Sequence, residues 1–142
     1  MTTLVKILAA FLMTLMMNAQ DTKSTSGAVD IEIEGVSTAE GSIKVALFAN
    51  KDNFLREPLF ATSVPASTTS PVVVAFENVP DGMYAISIYH DKDNNNELNK
   101  AGFIPTEPYG VSNNIIPAMS APKWNDAKFE VAGTRVKQII KL

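Results

Sequence analysis

An all-β fold, an antiparallel two-sheet sandwich of about seven short strands, is what this sequence predicts. Three observations carry that expectation. The runs VDIEIE, SIKVALF and MYAISIYH alternate apolar with other residues, and a period of two belongs to a strand with one buried face. Clusters of Pro, Gly, Asn, Asp and Ser punctuate the runs. Beyond the first twenty residues no stretch has the apolar spacing of an amphipathic helix.

The chain has 142 residues, enough for one domain. Its first part, MTTLVKILAAFLMTLMMNAQ, reads as an export signal. Lys6 precedes an apolar run over residues 7–17, and Ala19 is a small residue suited to cleavage. That run falls short of the ~20 residues a bilayer span needs. The expected organisation is a signal peptide over 1–19, a flexible leader over 20–28 and a sandwich domain over 29–142. The expected destination is the periplasm or the cell exterior, with no membrane span in the mature chain.

Charge and cysteine narrow the function classes. Fifteen acidic residues outnumber twelve basic ones, and cleavage at residue 19 would also remove Lys6. An acidic surface does not suit phosphate backbones or anionic membranes, so nucleic acid is not an expected partner. There are no cysteines. Disulfides, thiol catalysis, cysteine-held metal and a lipidated cysteine are thereby excluded, and stability must come from the core.

The strands follow in order. In VDIEIEG, Val29, Ile31 and Ile33 share one face, with Asp30, Glu32 and Glu34 opposite, and Gly35 ends the run. A second strand is expected over 42–48, with Ile43, Val45 and Leu47 inward, and a weaker third over 59–64. Residues 72–76, VVVAF, are β-branched and aromatic and read as a fourth. Val79-Pro80-Asp81-Gly82 supplies a tight turn. Residues 83–90 form the next strand: Tyr84, Ile86 and Ile88 point one way, Ala85, Ser87 and Tyr89 the other. Residues 101–126 show no period and contain four prolines, so this segment is either functional or pinned by side chains. AKFEV and TRVKQIIKL are expected to close the chain as a hairpin about Ala132-Gly133.

The chemistry concentrates in HDKDNNNELNKAGFIPTEPYG, residues 90–110. Asp91, Asp93 and Asn95 stand at i, i+2 and i+4. A loop that curls round a hard cation offers oxygens from alternate residues, and calcium takes six to eight of them. Glu97 and Asn99 occupy the seventh and ninth places of such a loop, and Asn96 the sixth, where Asn tolerates left-handed geometry as Gly does. The twelfth is Gly102, which has no side-chain oxygen, so Glu97 or Glu107 would complete the shell. The predicted metal ligands are therefore Asp91, Asp93, Asn95, Glu97, Asn99 and Glu107, with Ca2+ as the cofactor. Oxygen-only donors with one neighbouring imidazole favour a hard ion over zinc. The competing reading is a set of side-chain-to-backbone turns at a strand end. His90 is expected to be structural.

Catalysis is the weaker expectation. Ser112, His90 and Asp91 or Asp93 are the residue types of nucleophilic hydrolysis, but no Gly-x-Ser-x-Gly elbow occurs and only one histidine is present. Glu97 and Glu107 are the residue types of a glycosidase pair, with nothing in the spacing to set them face to face. Phe103, Tyr109 and Trp124 could offer a stacking surface to sugar or peptide. They are expected instead to plug the long segment onto the sandwich.

VPDGMYAISIYHDKDNNNELN, GFIPTEPYGVSNN and APKWNDAKFEV, in this order and spacing, resemble one family of exported bacterial domains, the domain of unknown function numbered twenty-one forty-one. The resemblance covers roughly residues 29–142. Through Pro80, Gly82 and Tyr84 it is similar to carboxypeptidase-regulatory and transthyretin-like sandwiches, an Ig-like architecture. The family pattern matches His90, Asp91 and Asn95; Gly102 and Pro105, with one extra residue between them; Glu107, Tyr109 and Gly110; and Ser112, Asn113 and Asn114. Asn96 stands where the family usually has glycine, and Val111 and Trp124 where it has phenylalanine. The resemblance implies fold and export and carries over no catalytic residue. The functional expectation is a non-catalytic binding or structural module of the envelope, whose partner is an unidentified ligand or envelope protein. The alternative is a small secreted hydrolase using His90.

Overall fold

A computed structural model describes residues 25–69 and 71–142. The expected signal peptide and most of the leader lie outside the described residues. Among the described residues ten strands follow one another: β1 (Ser26–Glu34), β2 (Ser42–Phe48), β3 (Phe60–Pro65), β4 (Val72–Pro80), β5 (Gly82–Asp91), β6 (Lys100–Ala101), β7 (Ile104–Pro105), β8 (Tyr109–Val111), β9 (Phe129–Val131) and β10 (Arg135–Lys141). A 3-10 turn at Ser112–Asn114 follows β8, and one helical turn, α1 (Trp124–Ala127), precedes β9.

Two sheets face each other, β10-β1-β4 and β3-β2-β5-β8, and β9 also pairs with β5. The alternation read from the sequence sets which side chains meet between them. Val29, Ile31 and Ile33 of β1 pack with Ile43, Val45 and Leu47 of β2, Val72 and Val74 of β4, and Tyr84, Ile86 and Ile88 of β5. The best buried of these side chains each stabilise the fold by roughly 1.5–3 kcal/mol. Tyr84 Oη, at the edge of this core, donates to the Pro80 carbonyl at 2.8 Å and ties the β4–β5 corner.

The opposite face of the second sheet carries a smaller cluster. Ala85, Val111 and Ala127 pack with Phe48 and Phe54. Trp124 meets Phe54 edge to face, with ring centroids 5.8 Å apart. Trp124 is therefore a plug, as expected. Phe103 is not: it is 99% exposed.

Several expectations are corrected. β1 begins at Ser26 and takes in the last three residues of the expected leader, because Ser26 and Gly27 pair with Pro80 and Val79 across a bulge. The terminal runs do not form a hairpin. β9 pairs with β5, and β10 runs parallel to β1, Ala28 opposite Arg135 through Glu34 opposite Lys141. Among the described residues this is the one parallel pairing, the rest being antiparallel. Among the described residues the strand count exceeds seven because residues 100–111 contribute the small β6–β7 hairpin and β8. No helix among the described residues is long and apolar enough to cross a membrane.

Candidate functional site

The polar stretch leaves the end of β5 and closes on itself. Asp91 is completely buried, and its two carboxylate oxygens cap the loop that follows. Oδ1 accepts the Asn95 amide at 3.1 Å and Oδ2 the Asn96 amide at 2.9 Å. Asp93 Oδ1 also accepts from Asn95 N, and its Oδ2 takes the Asn99 side-chain amide at 2.8 Å. Glu107, arriving before β8, accepts Lys92 N on one oxygen and Asn99 N on the other, at 2.9 and 3.0 Å. Asn94 and Asn96 take left-handed φ of 55° and 64°, the conformation that Asn tolerates and most side chains do not. Gly41, with φ of +72°, lies under the knot; a Cβ there would sit 2.0 Å from the Asp91 carbonyl oxygen.

The consequence is a meeting of charge. Asp91, Asp93 and Glu107 each bring a carboxylate oxygen to within 4.8 Å of the other two. Asn95 and Asn99 are bonded to each other at 2.6 Å and to this group. Glu97 stands apart: it contributes its backbone amide to Asn95 Oδ1, and its exposed carboxylate is outside the cluster. The Asn99 amide, above all, holds the Asp93 carboxyl below the usual carboxylate range. Burial, followed by the charges of Asp91, Glu107 and Glu97, pushes the Tyr89 phenol up, so it stays a protonated donor.

One participant was invisible in the sequence. Lys44, on the outward face of β2, donates to Asn96 Oδ1 at 2.7 Å and stands 3.6 Å from Asp91 Oδ2. Its place depends on β2–β5 register, which sets Ser42 opposite Asp91 and Lys44 opposite Tyr89. No local motif reports that pairing.

The residue types of hydrolysis do not assemble. The Ser112 hydroxyl is buried, accepting Ile86 N at 2.9 Å and donating to the Ala127 carbonyl. Ile86 lies four residues along β5 from His90, about 13 Å in a strand. His90 is buried, with Nε2 2.7 Å from the Glu40 carbonyl and Nδ1 without a partner among the described residues.

A family model described as "uncharacterized protein conserved in bacteria (DUF2141)" matches residues 31–139. The chain belongs to this family. The match runs from within β1 to within β10, so the DUF2141 region encloses both facing sheets, the knot and the Ser112–Asn114 turn. Neither a curated protein nor a solved structure matches the chain.

Beside the knot, the second sheet's outer face floors an open cleft of about 1450 Å³. The β6–β7 hairpin forms one wall and the segment 117–122 another. Thr106 N bonds the Asn99 carbonyl at 2.8 Å, so the knot is also the base of that hairpin.

Proposed function

We propose that this DUF2141 protein is an exported, non-catalytic binding module whose 91–99 knot holds a hard divalent cation, calcium before others. One observation carries the cation: Asp91, Asp93 and Glu107 converge within 4.8 Å. Their charge is offset only in part by Lys44, and the excess left over suits a divalent ion. The donors are hard oxygens, and each carboxylate oxygen has a second lone pair beyond the amide it accepts. A half-turn of the Asn95 or Asn99 amide would add its oxygen. Asp91, Asp93 and Glu107 would be the charged ligands and Asn95 and Asn99 the neutral ones. Glu97 would remain outside. The ion's work there is structural, bracing the base of the β6–β7 wall beside the cleft. Export rests on the signal pattern of residues 1–19.

A second reading has its own support. Every carboxylate oxygen of Asp91, Asp93 and Glu107 already accepts an N–H, and Lys44 occupies one side of Asp91. On that reading the knot supports itself without an ion. Thermal unfolding of the purified protein in millimolar calcium and in chelator separates the two. Saturation at about a hundred times Kd adds ~2.7 kcal/mol, a rise of roughly 5 °C or more for a domain of this size. An unchanged midpoint, with no heat of binding by calorimetry, would remove the ion and leave the self-supported turn.

A further inference from the structure

The cleft is asymmetric in a way that defines its occupant. Among its lining residues the only ionic ones are Lys44 and Lys100; no carboxylate lines it, although the chain as a whole is acidic. Both lysines stand at the knot end: Lys44 through its bond to Asn96, Lys100 as the residue after Asn99. Lys44 is partly committed to Asn96 and Asp91. Lys100 is exposed and, among the described residues, forms no salt bridge. Away from the lysines the lining turns apolar. Small residues, Ala46 and Ser87, pave the sheet, and Phe48 lies four residues along β2 from Lys44, about 13 Å further on. Phe103 and Met119, on the two walls, are 99% and 94% exposed. Large apolar side chains rimming a concave, partly cationic surface are the mark of a binding site. Methionine's flexible thioether adapts to a flexible ligand.

We infer that the cleft binds a free long-chain fatty acid, its carboxylate at Lys100 and Lys44 and its acyl chain along the outer face of the second sheet. The volume exceeds the roughly 300–1000 Å³ of ordinary small-molecule pockets, which suits a long flexible chain better than a compact metabolite. The lack of lining carboxylates disfavours a basic peptide. Tyr89, a lining residue directly opposite Lys44 in the β2–β5 register, offers its hydroxyl as a further donor for the headgroup. The inference rests on reading the protein as a binding module, and a cation in the knot would strengthen the headgroup contact, because Asp91, Asp93 and Glu107 carry excess negative charge at the same end.

The test is displacement of cis-parinaric acid from the purified protein by palmitate, and by hexadecanol, which has the same chain without the charge. Palmitate is expected to displace the probe at micromolar concentration and hexadecanol at least tenfold less well. Lys100→Glu is expected to weaken palmitate about tenfold, the worth of one charge-assisted contact, and to leave hexadecanol unchanged. Phe103→Ser, at a fully exposed position where folding is not at stake, should weaken both ligands. Equal displacement by the two ligands together with insensitivity to Lys100→Glu would overturn the proposal. So would no displacement by palmitate, binding to phosphatidylglycerol vesicles in place of palmitate, or sedimentation as a dimer that Phe103→Ser dissociates. Parallel melting in calcium keeps the two readings apart: a calcium-raised midpoint without palmitate binding leaves the cation standing and removes the fatty acid alone.

Discussion

Asp91 shows how one side chain holds a loop. Its carboxylate is buried, yet it accepts two backbone amides and faces the Lys44 ammonium, so the cost of burying its charge is offset locally. Asp91→Ala takes the acceptor from the Asn96 amide and leaves the Asn95 amide to Asp93 alone, and should cost about 1–3 kcal/mol, read as a lower urea midpoint. Asp91→Asn keeps one acceptor oxygen and should cost less. A loss smaller for Ala than for Asn would contradict this account. Asp93 makes a different prediction, because it is exposed and its effect is one of order rather than global stability. Its carboxyl is held low in the fold, first by the Asn99 amide. A carboxylate held low stabilises the folded form above its unfolded value, near pH 4, and loses that contribution as pH falls through the folded value. The knot should therefore keep its order from neutral pH to about 4 and loosen only below it. The Asn95 backbone and Asn99 side-chain amide resonances report this directly. Asp93→Asn should abolish that acid step, and loosening between pH 7 and 5 would show that another group controls the loop.

At the scale of elements, the turn after β8 is a staple. Asn114 donates its side-chain amide to the Ile139 carbonyl at 2.8 Å and accepts Lys141 N at 2.9 Å, while Asn113 donates to the carbonyls of Asp126 and Lys128. One three-residue turn thus joins α1, its capping residue Lys128 and β10 to the second sheet. Both asparagines hold left-handed φ, 64° and 56°. Asn114→Gly keeps the backbone and loses both side-chain bonds, so its cost, about 1–3 kcal/mol by urea unfolding, isolates the staple. A cost near zero would mean that water replaces both bonds. What was legible follows the same boundary between local and distant. Val29, Ile31 and Ile33, or Tyr84, Ile86 and Ile88, announce their face because strand alternation is a local property. Asp91, Asp93 and Asn95 announce a loop for the same reason. Glu107 was reached only through what a cation's shell would lack. Lys44 and the β1–β10 pairing were hidden, because both arise where residues distant in sequence come into register. Phe103 was misread because aromaticity speaks for burial in general and says nothing about the tip of a particular hairpin.

At the scale of the molecule, the chain closes by laying its last strand beside its first. β10 runs parallel to β1, buries Ile140 completely and sets Arg135 beside Asp30 and Glu77, and Lys137 beside Glu32. Those ion pairs are largely exposed and decide little; the buried aliphatic does more. Bringing the two strands together orders a loop of roughly a hundred residues, whose entropy is lost before any contact is gained. β5 is placed differently. It follows β4 through a single turn residue and pairs with β2 over Ala85–Asp91, so these contacts form at shorter range. The order of assembly should reflect this: β2, β4 and β5 associate in the transition state, and β10 docks afterwards. Ile86 and Ile140 are both wholly buried, and either truncated to Ala should cost about 2–5 kcal/mol. Their kinetic signatures should differ. Ile86→Ala is expected to slow refolding, Ile140→Ala to speed unfolding while leaving the refolding limb nearly unchanged. Stopped-flow urea chevrons of the two variants measure both limbs. If Ile140→Ala slows refolding as much as Ile86→Ala does, the terminal strands meet early, and long-range closure sets the pace of the whole fold.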